Sequence, residues 1–243
     1  MKAELYAQMR ELEDRHWWFT GRRRIVAEVI RRMPLPADAR ILDAGCGTGG
    51  NLPMLARFGE LTGAEFDAEA ARLARRRGVC EVVRAGLPDA MPFSPAQFDL
   101  VTLLDVLEHI DDDAASLRTL GGLLAPGGHL LLTVPAFPFL WGPHDEAHHH
   151  RRRYRAAGLR AVIEQAGLKV QWLSHYNSAL FPAVAAVRLL HRLLPEGPVG
   201  DELALPPAPV NRLLEGLFAA ERHLLGRVRL PVGVSLIAVA RRP

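Results

Sequence analysis

Short apolar runs alternate with amphipathic stretches along most of this chain. "RILDAGCG" is an apolar run that ends in glycines, and it predicts a buried strand entering a tight loop. "LTGAEF", "EVVRA", "FDLVTLLDV" and "HLLLTVPA" predict further strands. "RRRIVAEVIRRM" has helical periodicity and predicts a first long helix that stops at Pro34. "DAEAARLARRRG" predicts a helix with an acidic start, a basic end and a closing glycine. "DDDAASLRTLGGLLAPGG" predicts a helix closed by Pro-Gly-Gly. "AAGLRAVIEQAG" followed by "LKVQWLSHY" repeats helix then strand, and "GVSLIAVARR" ends the chain as a strand. Strands alternating with helices at this spacing imply an α/β fold, a mostly parallel Rossmann-like sheet with helices on both faces. Ligands of such sheets bind at the carboxyl ends of the strands, near the switch point.

Two regions break the alternation. One is the aromatic and basic lead "HWWFTGRRR"; the other runs from Ser178 to Leu230, apolar and punctuated by prolines. The expected division is a helical lead or lid over 1–34, a core over 35–177, a helical cap over 178–230 and a final core strand over 231–243. Composition narrows the partners. Of 30 basic residues only Lys2 and Lys169 are lysines, and the formal net charge is +3 with no long one-sided basic tract, which argues against nucleic acid. Cys46 and Cys80 form no Cys-x-x-Cys pair, so a reducing cytoplasm is expected. No uninterrupted apolar run is long enough to span a membrane, and the charged start has no apolar signal core.

"ILDAGCGTGG" sets Gly45, Gly47 and Gly50 in a Gly-x-Gly-x-x-Gly pattern, which by itself suggests a dinucleotide. Asp43 argues otherwise, because its carboxylate would repel a pyrophosphate beside the turn. It favours S-adenosylmethionine, which brings an ammonium and a sulfonium. Glu65 ends the second strand where a ribose needs an acceptor, and Asp105 ends "FDLVTLLDV" facing the same crevice.

With these residues the chain resembles class I S-adenosylmethionine-dependent methyltransferases. "ILDAGCGTGG" resembles their first motif, "GAEFDAEAARLARRRG" their second, and "MPFSPAQFDLVTLLDVLEHIDD" the segment through the fourth strand. The resemblance implies a seven-stranded sheet with its last strand antiparallel. It also implies that Asp43, Gly45, Gly47, Glu65 and Phe66 hold the cofactor, with Phe66 against adenine. Relatives carry an adenine-binding Asp after the third strand; here Leu87 stands there, so backbone groups of Gly86 and Leu87 are expected to read adenine. Trp18 and Arg23 are expected in a cofactor lid, the arginine clamping the methionine carboxylate.

"HDEAHHHRRRY" raises metal binding, because His144 and His148 can converge on a helical turn. The consecutive His148, His149 and His150 and the lack of cysteine ligands favour no metal. The run instead follows a strand at the sheet's carboxyl end, where imidazole (pKa about 6.5) can take a proton from an attacking hydroxyl. A small-molecule subset of the family has "H-W-W-F-x-x-R-R" and "W-x-x-H-D-…-H-x-R-R-Y", which this chain resembles. That resemblance makes His150 and Asp145 the candidate catalytic pair, and His144, Trp141 and Tyr154 candidate acceptor contacts. His109 is expected to shape the helix start beside the cofactor.

"SALFPAVAAVRLLHRLLP" is apolar around most of its helical wheel, with Arg188 and Arg192 on one narrow side. It reads as a cap over a partly hydrophobic acceptor, such as a quinone, polyketide or lipid-linked sugar, in preference to peripheral membrane contact. The expected function is methyl transfer to a small molecule, at oxygen before nitrogen or carbon. The rivals are protein or RNA methylation, a non-catalytic cofactor-binding scaffold and NAD-dependent redox chemistry. "LDVLEH" replaces the turn that grips a base amine, and Asp43 opposes NAD. The sequence leaves the oligomeric state open.

Overall fold

The computed structural model describes residues 9–193 and 204–243; the first eight residues of the expected lead, the 194–203 stretch of the expected cap and the Arg192 side chain lie outside them. Seven strands form one sheet in the order β3-β2-β1-β4-β5-β7-β6. They are β1 (Arg40–Ala44), β2 (Glu60–Glu65), β3 (Glu81–Arg84), β4 (Phe98–Leu104), β5 (Leu124–Pro135), β6 (Lys169–Tyr176) and β7 (Ser235–Arg241). β7 runs antiparallel to β5 and β6, while the pairings among β1 to β5 are parallel. This is the expected Rossmann-like sheet. The order reverses between β1 and β4, and the carboxyl ends of those two strands open the crevice.

Side chains alternate across the strands, so each strand feeds two cores. Ile41 and Leu100 pack on one face with Ile25 and Ile30 of α1 (Trp17–Arg31), while Leu42 and Val101 pack on the other with Leu117 of α4 (Asp113–Leu123) and Ile163 of α6 (Ala156–Gln165). The short α2 (Leu52–Leu55) and α3 (Ala68–Arg75) complete the α1 face. Each large aliphatic side chain fully buried there contributes roughly 1.5–3 kcal/mol. That two-sided burial fixes where the strand ends emerge.

Two boundaries differ from the sequence reading. α1 begins at Trp17 and not at Arg22, because His16 caps it: Trp18 N–H donates to His16 Nδ1 at 3.3 Å. The aromatic lead is thus the first turn of α1. The second difference follows α4, which ends at Leu123; "LAPGG" is already sheet. The register of β4 and β5 shifts between Phe98 and Leu100, and Gly127 takes φ 77°, so Pro-Gly-Gly forms a bulge within the strand.

Beyond β6, α7 (Phe181–Leu193) and α8 (Ala208–Ala220) lead back to β7. Glu221 joins these helices, its carboxylate accepting Ser178 N–H at 2.7 Å and Ala179 N–H at 3.0 Å. α8 packs along α1, where Phe218 lies so close that a Cβ on Gly21 would meet its ring at 2.7 Å.

Candidate active site

β1 ends in the glycine loop. Gly45 takes φ 74°, and a Cβ there would stand 2.6 Å from Val106 Cγ2, so glycine is required on both counts. Asp43 is 1% exposed. Its Oδ1 accepts the Thr102 hydroxyl at 2.6 Å, while its Oδ2 is buried without a hydrogen-bond partner. Burial pushes its carboxyl up to about 6. Glu65 closes β2 and ties the loop to the next strand, accepting Gly47 N–H at 2.8 Å and Asp67 N–H at 2.9 Å. Phe66 is 71% exposed, its ring against Gly86, where a Cβ would come within 2.6 Å. The Gly86 N–H donates to the Ala90 carbonyl at 3.0 Å and its carbonyl accepts the Ala90 N–H at 2.8 Å, which leaves that carbonyl one further lone pair. Glycine at 86 lets the Phe66 ring approach. Leu87 packs half-buried against the core.

The lid arginine was expected at Arg23, but Arg22 is the one that lines the cavity. Adjacent helical residues stand about 100° apart, and the helix phase set by His16 turns Arg22 inward. Arg22 is 7% exposed, pairs with Asp105 and lies over the Trp18 ring at 4.6 Å. Arg23 donates to the Glu13 carbonyl at 2.6 Å and lies outside the cavity lining. Asp105 sits just beyond β4 with φ 55°, a costly backbone for a non-glycine, held by Thr133, whose hydroxyl donates to Oδ1 at 2.9 Å. Glu13, unnoticed in the sequence, closes the loop from above. It accepts the Thr48 hydroxyl at 2.6 Å and pairs with Arg77 at 3.1 Å.

The loop that contains "HDEAHHHRRRY" forms the opposite wall. α5 (Pro143–Ala147) buries Asp145 completely. Asp145 Oδ1 meets His150 Nδ1 at 2.8 Å and Arg153 Nε at 2.7 Å, while Oδ2 accepts Gly142 N–H at 2.9 Å. Burial alone would raise this carboxyl, yet the hydrogen bonds from His150 and Arg153 hold it well below the usual carboxylate range. His109 and His150 stand 4.8 Å apart edge to face, and His144 and His148 stand 4.3 Å apart. Burial, then neighbouring cations, lowers His109 to about 4 and His144 to about 3, so both are neutral at physiological pH. Burial pushes the Glu108 carboxyl up to about 8, and its Oε2 has no hydrogen-bond partner.

One cavity of about 530 Å³ joins these parts. Gly45, Gly47 and Asp105 line it together with His109, His144, His148 and His150, while Asp43, Glu65 and Phe66 lie outside its lining. Ala183, Val184 and Val187 of α7 supply an apolar wall. The polarity of α7 is the reverse of what its wheel suggests. Arg188 is 7% exposed and lines the cavity, while Leu189 and Leu190 are 47% and 56% exposed. Two expected acceptor contacts fall outside the lining. Tyr154 is buried in the core with its hydroxyl on Asp113 at 2.9 Å, and Trp141 Nε1 points to Glu146 at 3.4 Å.

The donor set suits S-adenosylmethionine. Asp43 Oδ2 is a buried carboxylate oxygen without a hydrogen-bond donor, close to the glycine loop, and a cationic ligand would neutralise it. Among the described residues, Glu108, His109 and His150 bring one ligand atom each within 4.8 Å of one another.

Residues 18–172 match a family model described as a methyltransferase domain, and the chain belongs to that family. S-adenosylmethionine is its methyl-donating cosubstrate. The chain is 32% identical over 157 residues to a ubiquinone biosynthesis O-methyltransferase of Xanthomonas euvesicatoria pv. vesicatoria, covering 57% of this chain and 66% of that relative. It therefore spans just under two thirds of that relative's length. A Xylella fastidiosa protein of the same description is 30% identical over 165 residues, covering 60% of this chain and 67% of the relative. Among solved structures, a chain from the Haloferax volcanii complex between the Trm112 methyltransferase activator and a methyltransferase has TM-score 0.65 at 20% identity, with 99% of this chain and 95% of that one covered. Haemonchus contortus phosphoethanolamine N-methyltransferase 2, solved with S-adenosyl-L-methionine, has TM-score 0.60 at 17% identity, covering 90% and 52%. These structural likenesses establish the fold.

Proposed function

We propose that the chain transfers a methyl group from S-adenosylmethionine to a hydroxyl oxygen of a small, partly apolar acceptor. The observation that carries this reading is a single cavity lined both by the glycine loop and by a buried-carboxylate-backed imidazole, His150 on Asp145. The O-methyltransferases among its relatives support oxygen as the atom methylated. Residues 178–230 serve as the acceptor's cap, over a core at 35–177 and a lead at 1–34. No nucleic acid or membrane is needed, and the reducing cytoplasm suits the two free cysteines. Among the described residues no helix is long and apolar enough to cross a membrane.

When bound, S-adenosylmethionine supplies an electrophilic methyl on a sulfonium. Asp43 would hold the cationic end, Glu65 would accept from the ribose hydroxyls, and Phe66 would cover adenine. Arg22, pinned between Asp105 and Trp18, would take the methionine carboxylate. Asp145 accepts the His150 Nδ1 proton, which leaves Nε2 free to take the acceptor's hydroxyl proton as oxygen attacks. His144 and the wall of α7 orient the acceptor. We assign no metal to the histidines, because their cluster offers no cysteine ligand and Asp145 already engages His150 Nδ1.

Calorimetric titration of EDTA-treated protein with S-adenosylhomocysteine tests the cofactor half, beside Asp43→Ala, Glu65→Ala and an NADH control. Radiolabel transfer from S-adenosylmethionine to a panel of phenols and quinols tests the rest. Binding weakened by both substitutions, with label in an ether, supports the proposal. Binding without transfer to any acceptor favours a scaffold, and binding restored only by zinc overturns the metal-free assignment.

A further inference from the structure

The face of α1 that points away from the cavity carries a second concavity. Thr20, Ala27 and Met54 lie in its walls, and it measures about 510 Å³ and shares no lining residue with the active-site cavity. Three elements bring arginines to it: Arg23, Arg24 and Arg31 from α1, Arg57 from just beyond α2, and Arg222 from the 3-10 turn after α8. Two carboxylates answer these five guanidinium groups, leaving three positive charges. Glu215 pairs with Arg24 at 2.8 Å, and Glu28 is shared between Arg31 and Arg32. The remaining three arginines meet no carboxylate among the described residues. Arg23 and Arg222 each donate to a backbone carbonyl, of Glu13 and Ala219, and Arg57 makes no contact of this kind. Burial and then the neighbouring Arg22 lower the Arg23 pKa, against the opposing pull of Asp14 and Glu13.

We infer that this groove binds a polyphosphate anion of pyrophosphate size. Like charges held together by three separately folded elements repel one another, and the walls concentrate their field on whatever enters. Guanidinium forks match phosphate oxygens in pairs. Three arginines outside any ion pair among the described residues also suit the charge of a pyrophosphate group at neutral pH. The same chemistry is found in a soluble phosphate ester and in a phosphorylated lipid headgroup, so the test needs an arm for each.

The full chain is titrated with sodium pyrophosphate at low ionic strength, with and without saturating S-adenosylhomocysteine. In parallel it is sedimented with phosphatidylcholine vesicles that do or do not contain diacylglycerol pyrophosphate. An Arg57→Ala/Arg222→Ala variant, with unchanged circular dichroism and S-adenosylhomocysteine affinity, is carried through both arms. Pyrophosphate binding that falls about tenfold or more in the variant and ignores S-adenosylhomocysteine supports a soluble ligand. Variant-sensitive binding confined to the vesicles with diacylglycerol pyrophosphate supports a headgroup. The inference is overturned by binding that persists in the variant, by displacement with S-adenosylhomocysteine, or by no binding in either arm.

Discussion

Asp145 Oδ1 lies 2.8 Å from His150 Nδ1, and Arg153 and the Gly142 N–H hold the same carboxylate from other sides. With the Asp145 carboxylate accepting from Nδ1, the ring is the tautomer with Nε2 unprotonated, and His150 lines the cavity. Substituting His150 by alanine is expected to lower kcat by about 10² to 10⁴ while S-adenosylhomocysteine affinity stays within about twofold. A purely structural His150 would give the opposite pattern: near-normal kcat in whatever protein folds. Single-turnover transfer with the best acceptor, together with calorimetry, distinguishes the two.

Asp145 also has a stabilising role that Asp145→Asn isolates. Its carboxyl is held low in the folded protein, so its contribution is present above the ordinary carboxylate range and is lost as pH falls through the folded value. Asparagine removes the charge and leaves the Arg153 guanidinium, 8% exposed, without its counter-ion. Stability at neutral pH is expected to fall by roughly 3–5 kcal/mol, and the difference from wild type should shrink in strong acid. Urea denaturation at both pH values checks this. His150→Ala, which leaves the Arg153 pair intact, should cost clearly less.

Asp43 carries the reverse sign. Its folded carboxyl titrates at about 6, above the ordinary 3.8, so the buried charge costs stability, an expense that grows as pH rises through that window. Asp43→Asn keeps an oxygen for the Thr102 hydroxyl and removes the charge. It should therefore leave the urea midpoint at neutral pH unchanged or higher, while weakening S-adenosylmethionine binding by about tenfold or more. In the wild type, affinity should fall as pH drops below about 6, where the carboxylate is lost. Calorimetry between pH 5 and pH 8 follows this directly. An affinity flat across that range would remove Asp43 from the cofactor site.

The sheet and the glycine loop were legible because their causes are local. A buried strand needs a run of apolar residues, and Gly45 sits where φ 74° and Val106 together exclude a side chain. Asp43, Glu65 and Asp105 were legible because each stands at or beside a strand end. What escaped the sequence depends on phase and on distant partners. Glu13 is an ordinary acid of a charged lead until the fold sets it on Thr48 and Arg77. Tyr154 matched a motif, yet its hydroxyl goes to Asp113 and its ring to the core. Arg188 sits on the polar side of its own helical wheel, and only the packing of α7 over the cavity turns that side inward.

Arg22 and Arg23 give the sharpest test of such a phase error, since they are neighbours with opposite surroundings. Arg22 is buried on Trp18 and Asp105 at the cavity; Arg23 holds the Glu13 carbonyl on the other side of α1. If Arg22 receives the amino-acid carboxylate of the cofactor, Arg22→Ala should weaken S-adenosylhomocysteine by roughly tenfold to a hundredfold. The same variant should bind 5′-methylthioadenosine, which lacks that carboxylate, as the wild type does. Arg23→Ala should change both affinities by less than about threefold. A loss of methylthioadenosine binding in Arg22→Ala would mean that the arginine shapes the pocket as a whole through Asp105, and a loss confined to Arg23→Ala would return the clamp to the residue the sequence first suggested.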